Sequence, residues 1–208
     1  MSEGAAAAAA CHAAASITAV RIERAVVDGS WWVAPAARLF DTEFGRGYVD
    51  EAALRKLAGA VDSAVFIAHR SLSLVGVAII SSADHSTRAH FARSFVSLGF
   101  TGAVSDGAAV GCLRSVVVEP AARGHGSGSR LIDQCMHFAR RRGWDAVYAA
   151  SWISGKPHQS AGLLARTGFT AVGTIADYWL QDTATDTMSC AVCGAPCHCA
   201  ALIMRWRG

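Results

Sequence analysis

The pattern of apolar and polar positions divides most of the chain into strands and helices. Residues 17–27 (ITAVRIERAVV) alternate closely enough to predict a first strand. Residues 35–60 hold two helical pieces, the clearer running from Asp50 to Ala58, with acids first, bases later and a stop at Gly59. Two apolar β-rich runs, Ala64 to His69 and Leu72 to Ile80, surround a short polar break and read as a hairpin. Residues 81–110 carry no clear period; they hold one short helix at most, over 86–95, and suit an insertion that faces a ligand. Regularity returns with a strand from Leu113 to Val118. An amphipathic helix follows from Ser127 to Arg142, with Leu131, Cys135 and Phe138 on one stripe and Ile132, Met136 and Ala139 beside it. Arg140, Arg141 and Arg142 complement its C-terminal dipole and Gly143 stops it. A strand from Ala146 to Ile153, a short helix over Gln159–Arg166, a strand from Phe169 to Ile175 and a last strand from Ala200 to Trp206 complete the order.

A strand, helix, strand passage of this spacing requires a parallel crossover, whereas the flanking hairpins are antiparallel. The expected fold is mixed α+β: a mostly antiparallel sheet with a central parallel strand pair and helices on both faces. Half of the 208 residues are apolar, so a single domain over residues 16–208 can bury a core. The alanine run before it reads as a disordered tail over residues 1–15, not a secretion signal, because its start carries Glu3 and no base. No run of 18 strongly apolar residues exists, which predicts no membrane span and a cytoplasmic location. A formal net charge of +3 argues against nucleic acid and suits a small anionic ligand.

The most informative stretch is Val116-Val117-Val118-Glu119-Pro120-Ala121-Ala122-Arg123-Gly124-His125-Gly126-Ser127-Gly128-Ser129. A strand runs into a glycine-punctuated turn from which a helix starts, so successive N–H groups can converge on a phosphate or diphosphate. Arg123 can add a charge-assisted contact, and Ser127 or Ser129 a hydroxyl. A Walker loop would need a lysine that is missing, and a dinucleotide loop a glycine where Ser127 or Ser129 stands. What fits is R-x-x-G-x-G, filled by Arg123, Gly126 and Gly128. Here the chain resembles the GNAT superfamily of N-acetyltransferases over roughly residues 17–206.

That resemblance implies a coenzyme A diphosphate loop at Arg123, Gly124, His125, Gly126, Ser127, Gly128 and Ser129. It makes the parallel strand pair a splayed one, with Val116 and Val118 along the pantetheine arm and the Val118 N–H as oxyanion donor. The reaction it implies is transfer of an acyl group, acetyl by expectation, from acetyl-CoA to an amine by direct attack in a ternary complex. Such a reaction needs a base for the ammonium and an acid for the leaving thiolate. Relatives often carry a tyrosine five residues before the phenylalanine of a Gly-Phe pair, but this chain has Leu164 before Gly168-Phe169, and Pro157-His158-Gln159 where an asparagine is common. Candidate bases are Glu119 and His158, with Asp84, His85, His90 and Asp106 in the segment without period; Tyr178 is a candidate for the missing acid. Trp31, Trp32, Trp152 and Trp179 suit an aromatic-lined acceptor pocket or plain core packing.

Four of the seven cysteines crowd into Cys190-Ala191-Val192-Cys193-Gly194-Ala195-Pro196-Cys197-His198-Cys199. Cys190 and Cys193 are spaced for a zinc-knuckle turn, with Gly194 as its left-handed residue. Cys197 and Cys199, or His198 in place of one, complete a tetrahedral set for a structural Zn2+. Redox-active or merely reduced thiols are the competing reading. The cluster lies in a loop over 186–199 between the last two strands, where it would order the acceptor side. Cys11, Cys112 and Cys135 look unrelated. Two other functions keep the same fold: a coenzyme-binding regulatory module without turnover, and a zinc-knuckle adaptor for protein. The acceptor, a small amine or a protein, is not legible, and a homodimer is one assembly the chain allows.

Overall fold

The computed structural model describes residues 19–28, 30–83, 108–153, 160–184 and 187–208, and among them four α-helices, two on each face, cover one seven-stranded sheet. The expected tail, the segment around 86–95 and His158 lie outside the described residues. The elements are β1 (Arg21–Arg24), α1 (Val33–Phe44), α2 (Glu51–Gly59), β2 (Ser63–Arg70), β3 (Ser73–Ser82), β4 (Val110–Val118), α3 (Ser127–Arg141), β5 (Ala146–Ile153), α4 (Ser160–Arg166), β6 (Thr170–Ile175) and β7 (Ala200–Arg207). The strand order is β1-β2-β3-β4-β5-β7-β6, with β4 and β5 the parallel pair and the other neighbours antiparallel. The mixed α+β architecture expected from the sequence is therefore the one observed.

Local chemistry explains the helix ends. Asp50 caps α2 by accepting from the Ala53 N–H at 2.7 Å, satisfying one of the free amides of the first turn. Gly126, with φ +79°, turns the chain into α3, and Arg140 and Arg141 fall in the last turn. Residues Leu131, Ile132, Cys135, Met136, Phe138 and Ala139 form the buried face of α3. They pack on Phe66, Ala78, Ile80, Val147 and Met204 to make the larger core. On the opposite face Trp32, Val33, Phe40 and Leu54 close against Val65, Ile67, Val77 and Ile79.

Two strands differ from the sequence expectation. The first is four residues long, Arg21 to Arg24 paired with β2, followed by a single further bond from Ala25 N–H to Val65 O at 2.8 Å. β4 begins at Val110 rather than Leu113: its first three residues pair with Ala146, Val147 and Tyr148. Gly111 permits this start, since a Cβ there would lie 2.1 Å from the Trp144 ring.

Leu131 is fully buried, and its Cδ1 would lie 3.2 Å from a Cβ placed on Gly76 of β3. Leu131→Ala is expected to cost about 2–5 kcal/mol, read as a lower urea midpoint with an unchanged m-value.

Candidate active site

The site begins where a sheet stops being a sheet. β4 and β5 pair only over Val110–Cys112, while β3 stays paired with β4 as far as Val118. The β3 register slips between Ile79–Ser115 and Ile80–Leu113, so Arg114 is an extra residue in β4. Such a bulge bends a strand and increases its twist. Beyond it, Glu119 N–H donates to Val75 O at 2.9 Å. With Gly76 opposite Val118 and Ala78 opposite Val116, backbone alternation turns the amides of Val116 and Val118 away from β3 and into the gap.

The gap opens onto the glycine loop. The first α-helical bond of α3 runs from Arg130 N–H to Gly126 O, so the amides of Ser127, Gly128 and Ser129 precede the ladder. A Cβ on Gly124 or Gly126 would meet nothing, and both have positive φ, so the loop presents bare backbone to solvent. Gly128 instead allows close packing, since a Cβ there would press on Leu163 of α4 at 3.0 Å. His125 Nδ1 lies 2.8 Å from Arg123 O, within its own loop. Arg123 is placed differently from a free phosphate ligand. Its Nε donates to Val118 O at 2.9 Å and its guanidinium pairs with Glu43 of α1 at 2.6 Å, so it braces the loop against strand and helix.

Glu119 is exposed at the end of β4. Leu164 is buried in the core, with no hydroxyl in its place. The sequence reading missed Tyr48, which follows α1 and donates its hydroxyl to Arg114 O, at the bulge, at 3.0 Å. Burial pushes the Tyr48 phenol up to about 12, with Arg114 opposing. Tyr178 is also pushed up by burial, and further by Cys112 and Asp182, which act on Tyr48 in the same sense. The two phenols therefore share one environment, on the sheet face opposite α3. Phe44 lies 4.8 Å from Tyr48 and 6.3 Å from Trp152, and Trp179 lies 6.3 Å from Trp152 and 4.7 Å from Tyr178, between ring centroids. Trp152 and Trp179 thus line this aromatic wall, whereas Trp32 is buried in the core under α1. The only signal for Tyr48 was an aromatic residue just before the Asp50 cap.

The four cysteines come together as the spacing suggested. Their sulfurs lie within 4.8 Å of one another, with Cys190 to Cys199 at 3.9 Å and Cys193 to Cys199 at 3.6 Å. A tetrahedral zinc with Zn–S bonds near 2.3 Å needs S–S separations of about 3.8 Å. The knuckle turn is closed by Cys190 N–H to Gly194 O at 2.9 Å and Gly194 N–H to Cys190 O at 3.0 Å, and Val192 N–H donates to Cys190 Sγ at 3.4 Å. His198 is outside the set, its Nδ1 2.9 Å from Asp177 Oδ1. The donor set fits a divalent ion with soft preference. Burial raises the Cys199 thiol. Cys135 is buried in the α3 core, apart from this cluster.

Among known proteins, the family model of the acetyltransferase (GNAT) family matches residues 36–169. A comparison with curated proteins finds no match. Among solved structures, the NatC complex bound to Gag peptide and CoA is similar with a TM-score of 0.62 at 12% identity, over 91% of this chain and 98% of that one. The polyamine N-acetyltransferase of Drosophila melanogaster aligns with a TM-score of 0.62 at 14% identity, over 91% of this chain and all (100%) of that one. An agmatine N-acetyltransferase aligns with a TM-score of 0.60 at 14% identity, over 91% and 100%. Splayed strands, glycine loop and family match agree: this chain belongs to the GNAT acetyltransferase family.

Proposed function

We propose that the protein transfers an acetyl group from acetyl-CoA to an amine. The observation that carries this reading is the splayed β4–β5 pair, whose gap-facing amides lead directly into the bare-backbone loop at the start of α3. In this reading the amides of Ser127, Gly128 and Ser129 take the diphosphate, with Gly124, His125 and Gly126 shaping the loop and Arg123 bracing it. The pantetheine arm runs along Val116 and Val118 and completes the broken sheet edge.

The amine attacks the thioester carbonyl. A C–N bond forms, the oxyanion is held by a gap-facing amide, and the C–S bond then breaks. Two amides qualify, Val118 and Val116. Val116 is the nearer along the strand to Arg114, where Tyr48 is anchored, so it serves a reaction that also uses this phenol. Tyr48 stays protonated through the neutral range and can give its proton to the leaving thiolate in place of the tyrosine that Leu164 replaces; Tyr178 is the alternative. Glu119 and His158 are the candidate bases for the proton of the ammonium. Asp182, close enough to act on both phenols, supplies negative charge toward which a protonated amine is drawn. The relatives named above act on agmatine and polyamines or bind a peptide, which makes small polyamines and peptide N-termini the first acceptors to try. A structural zinc at Cys190, Cys193, Cys197 and Cys199 completes the reading. Four reduced thiols suit a cytoplasmic setting.

A second reading, coenzyme binding without turnover, is favoured by the apolar Leu164 alone. Acetyl-CoA titration with an amine panel separates the two: acetylated product supports the transferase, and tight binding with no product for any amine supports the regulatory module.

Gly126→Val places a β-branched side chain at φ +79° and over the loop. Calorimetric titration should show acetyl-CoA binding abolished, with an unchanged circular dichroism spectrum. Tyr48 gives a pH signature. Its folded pKa of about 12 lies above the ordinary 10.0, so its share of stability is complete below pH 10 and lost as pH rises from there toward 12. In chemical denaturation, Tyr48→Phe should reduce the slope of stability against pH in that window.

A further inference from the structure

The cysteine segment is fastened to the catalytic half of the molecule at a particular place. Ser189 N–H donates to Arg46 O at 3.0 Å and Ala191 N–H to Phe44 O at 3.0 Å. The approach is so close that a Cβ on Gly45 would fall 1.8 Å from Ser189 O, and one on Gly47 1.9 Å from Thr187 O. Both glycines have positive φ, +115° and +79°. Trp152 of β5 stands beside this junction, its ring against those of Phe44 and Trp179. On the far side, Cys197 N–H donates to Thr183 Oγ1 at 2.7 Å, and Thr183, buried, donates to Trp179 O at 2.8 Å. The sulfur cluster is thus joined to the Phe44–Arg46 turn and, through Thr183, to Trp179. None of these hydrogen bonds involves a glycine-loop residue; that loop is tied to α1 separately, by the Arg123–Glu43 ion pair within the helix.

We propose that zinc held by Cys190, Cys193, Cys197 and Cys199 is a detachable clamp on the acceptor wall: bound, it pins residues 187–191 to Phe44–Gly47 and so holds Tyr48 over β4; withdrawn, it frees that wall and leaves the coenzyme loop as it was. Zinc contributes no chemistry to acyl transfer here, because four thiolates leave it no open position. Its contribution is positional. The acceptor role rests on the acetyltransferase reading above; the clamp does not.

The experiment needs no known acceptor. The full chain, purified with zinc, is measured for metal content, for acetyl-CoA affinity by calorimetry, and for amide hydrogen exchange before and after chelation. One zinc per chain is expected. Removing it should speed exchange in peptides covering 44–48 and 187–193 by about tenfold or more, with α3 protection and acetyl-CoA affinity unchanged. Gly45→Ala should speed exchange in the same two peptides with zinc still bound. A chain that neither carries zinc nor takes it up would overturn the proposal. So would zinc whose removal leaves both peptides protected, or removal that melts α3 as well. If chelation loosens the two peptides but the zinc-loaded chain fails to bind acetyl-CoA, the clamp stands and the coenzyme reading falls.

Discussion

The parting of β4 from β5 after three residues is the constraint on which the rest of the molecule depends. A sheet that stays paired has no room for a ligand between strands, and a sheet that parts leaves backbone groups to be satisfied by something else. The bulge at Arg114 resolves the conflict on one side only. β4 keeps its bonds to β3 up to Val118, so the break costs no pairing there, while the amides of Val116 and Val118 turn into the gap. Val118 O is met by Arg123. Every other site element is placed with respect to this wedge: the glycine loop at its open end, Tyr48 at the bulge, and the aromatic wall across the face that lacks α3.

A short stretch at the end of α1 holds these parts in one frame. Glu43 pairs with the arginine of the glycine loop, Phe44 and Arg46 accept bonds from the cysteine segment, and Tyr48 anchors on β4. Six consecutive residues thereby reach the glycine loop, the splayed strand and the insertion. Such spacing also explains why α1 ends where it does. With φ +115° at Gly45, the chain leaves helical geometry and turns its backbone outward to meet Ser189, an approach that only a residue without a side chain permits.

How much of this could be read from sequence depended on whether the cause was local. The glycine loop, α3 and the knuckle were legible because each is specified by neighbours: alternation, a 3.6-residue stripe, or thiols two and three residues apart. The parallel β4–β5 pair followed from the strand, helix, strand spacing. Tyr48 was not legible, since its significance comes from Arg114, far away along the chain. Gly45 and Gly47 had the same obscurity: they look like ordinary turn glycines, and the segment that requires them lies more than a hundred residues later. Arg123 was legible as a member of the loop but not in its partner, because Glu43 belongs to the helix on the other face. β1 was overestimated for a related reason, as alternation measures the potential to pair and β2 offers partners for only part of it.

The insertion that carries the cysteines leaves the sheet after Ile175 and returns at Ala200, and Ile175 stands opposite Ala201 on paired strands. Its two ends are therefore about one strand spacing apart, roughly 5 Å, the distance a two-residue hairpin turn would span. Sheet register does not depend on what is placed between them, and the family match ends before it, at residue 169. The fold consequently behaves as a fixed chassis with an exchangeable cartridge. A lineage can lengthen, shorten or replace the segment without re-solving the folding problem.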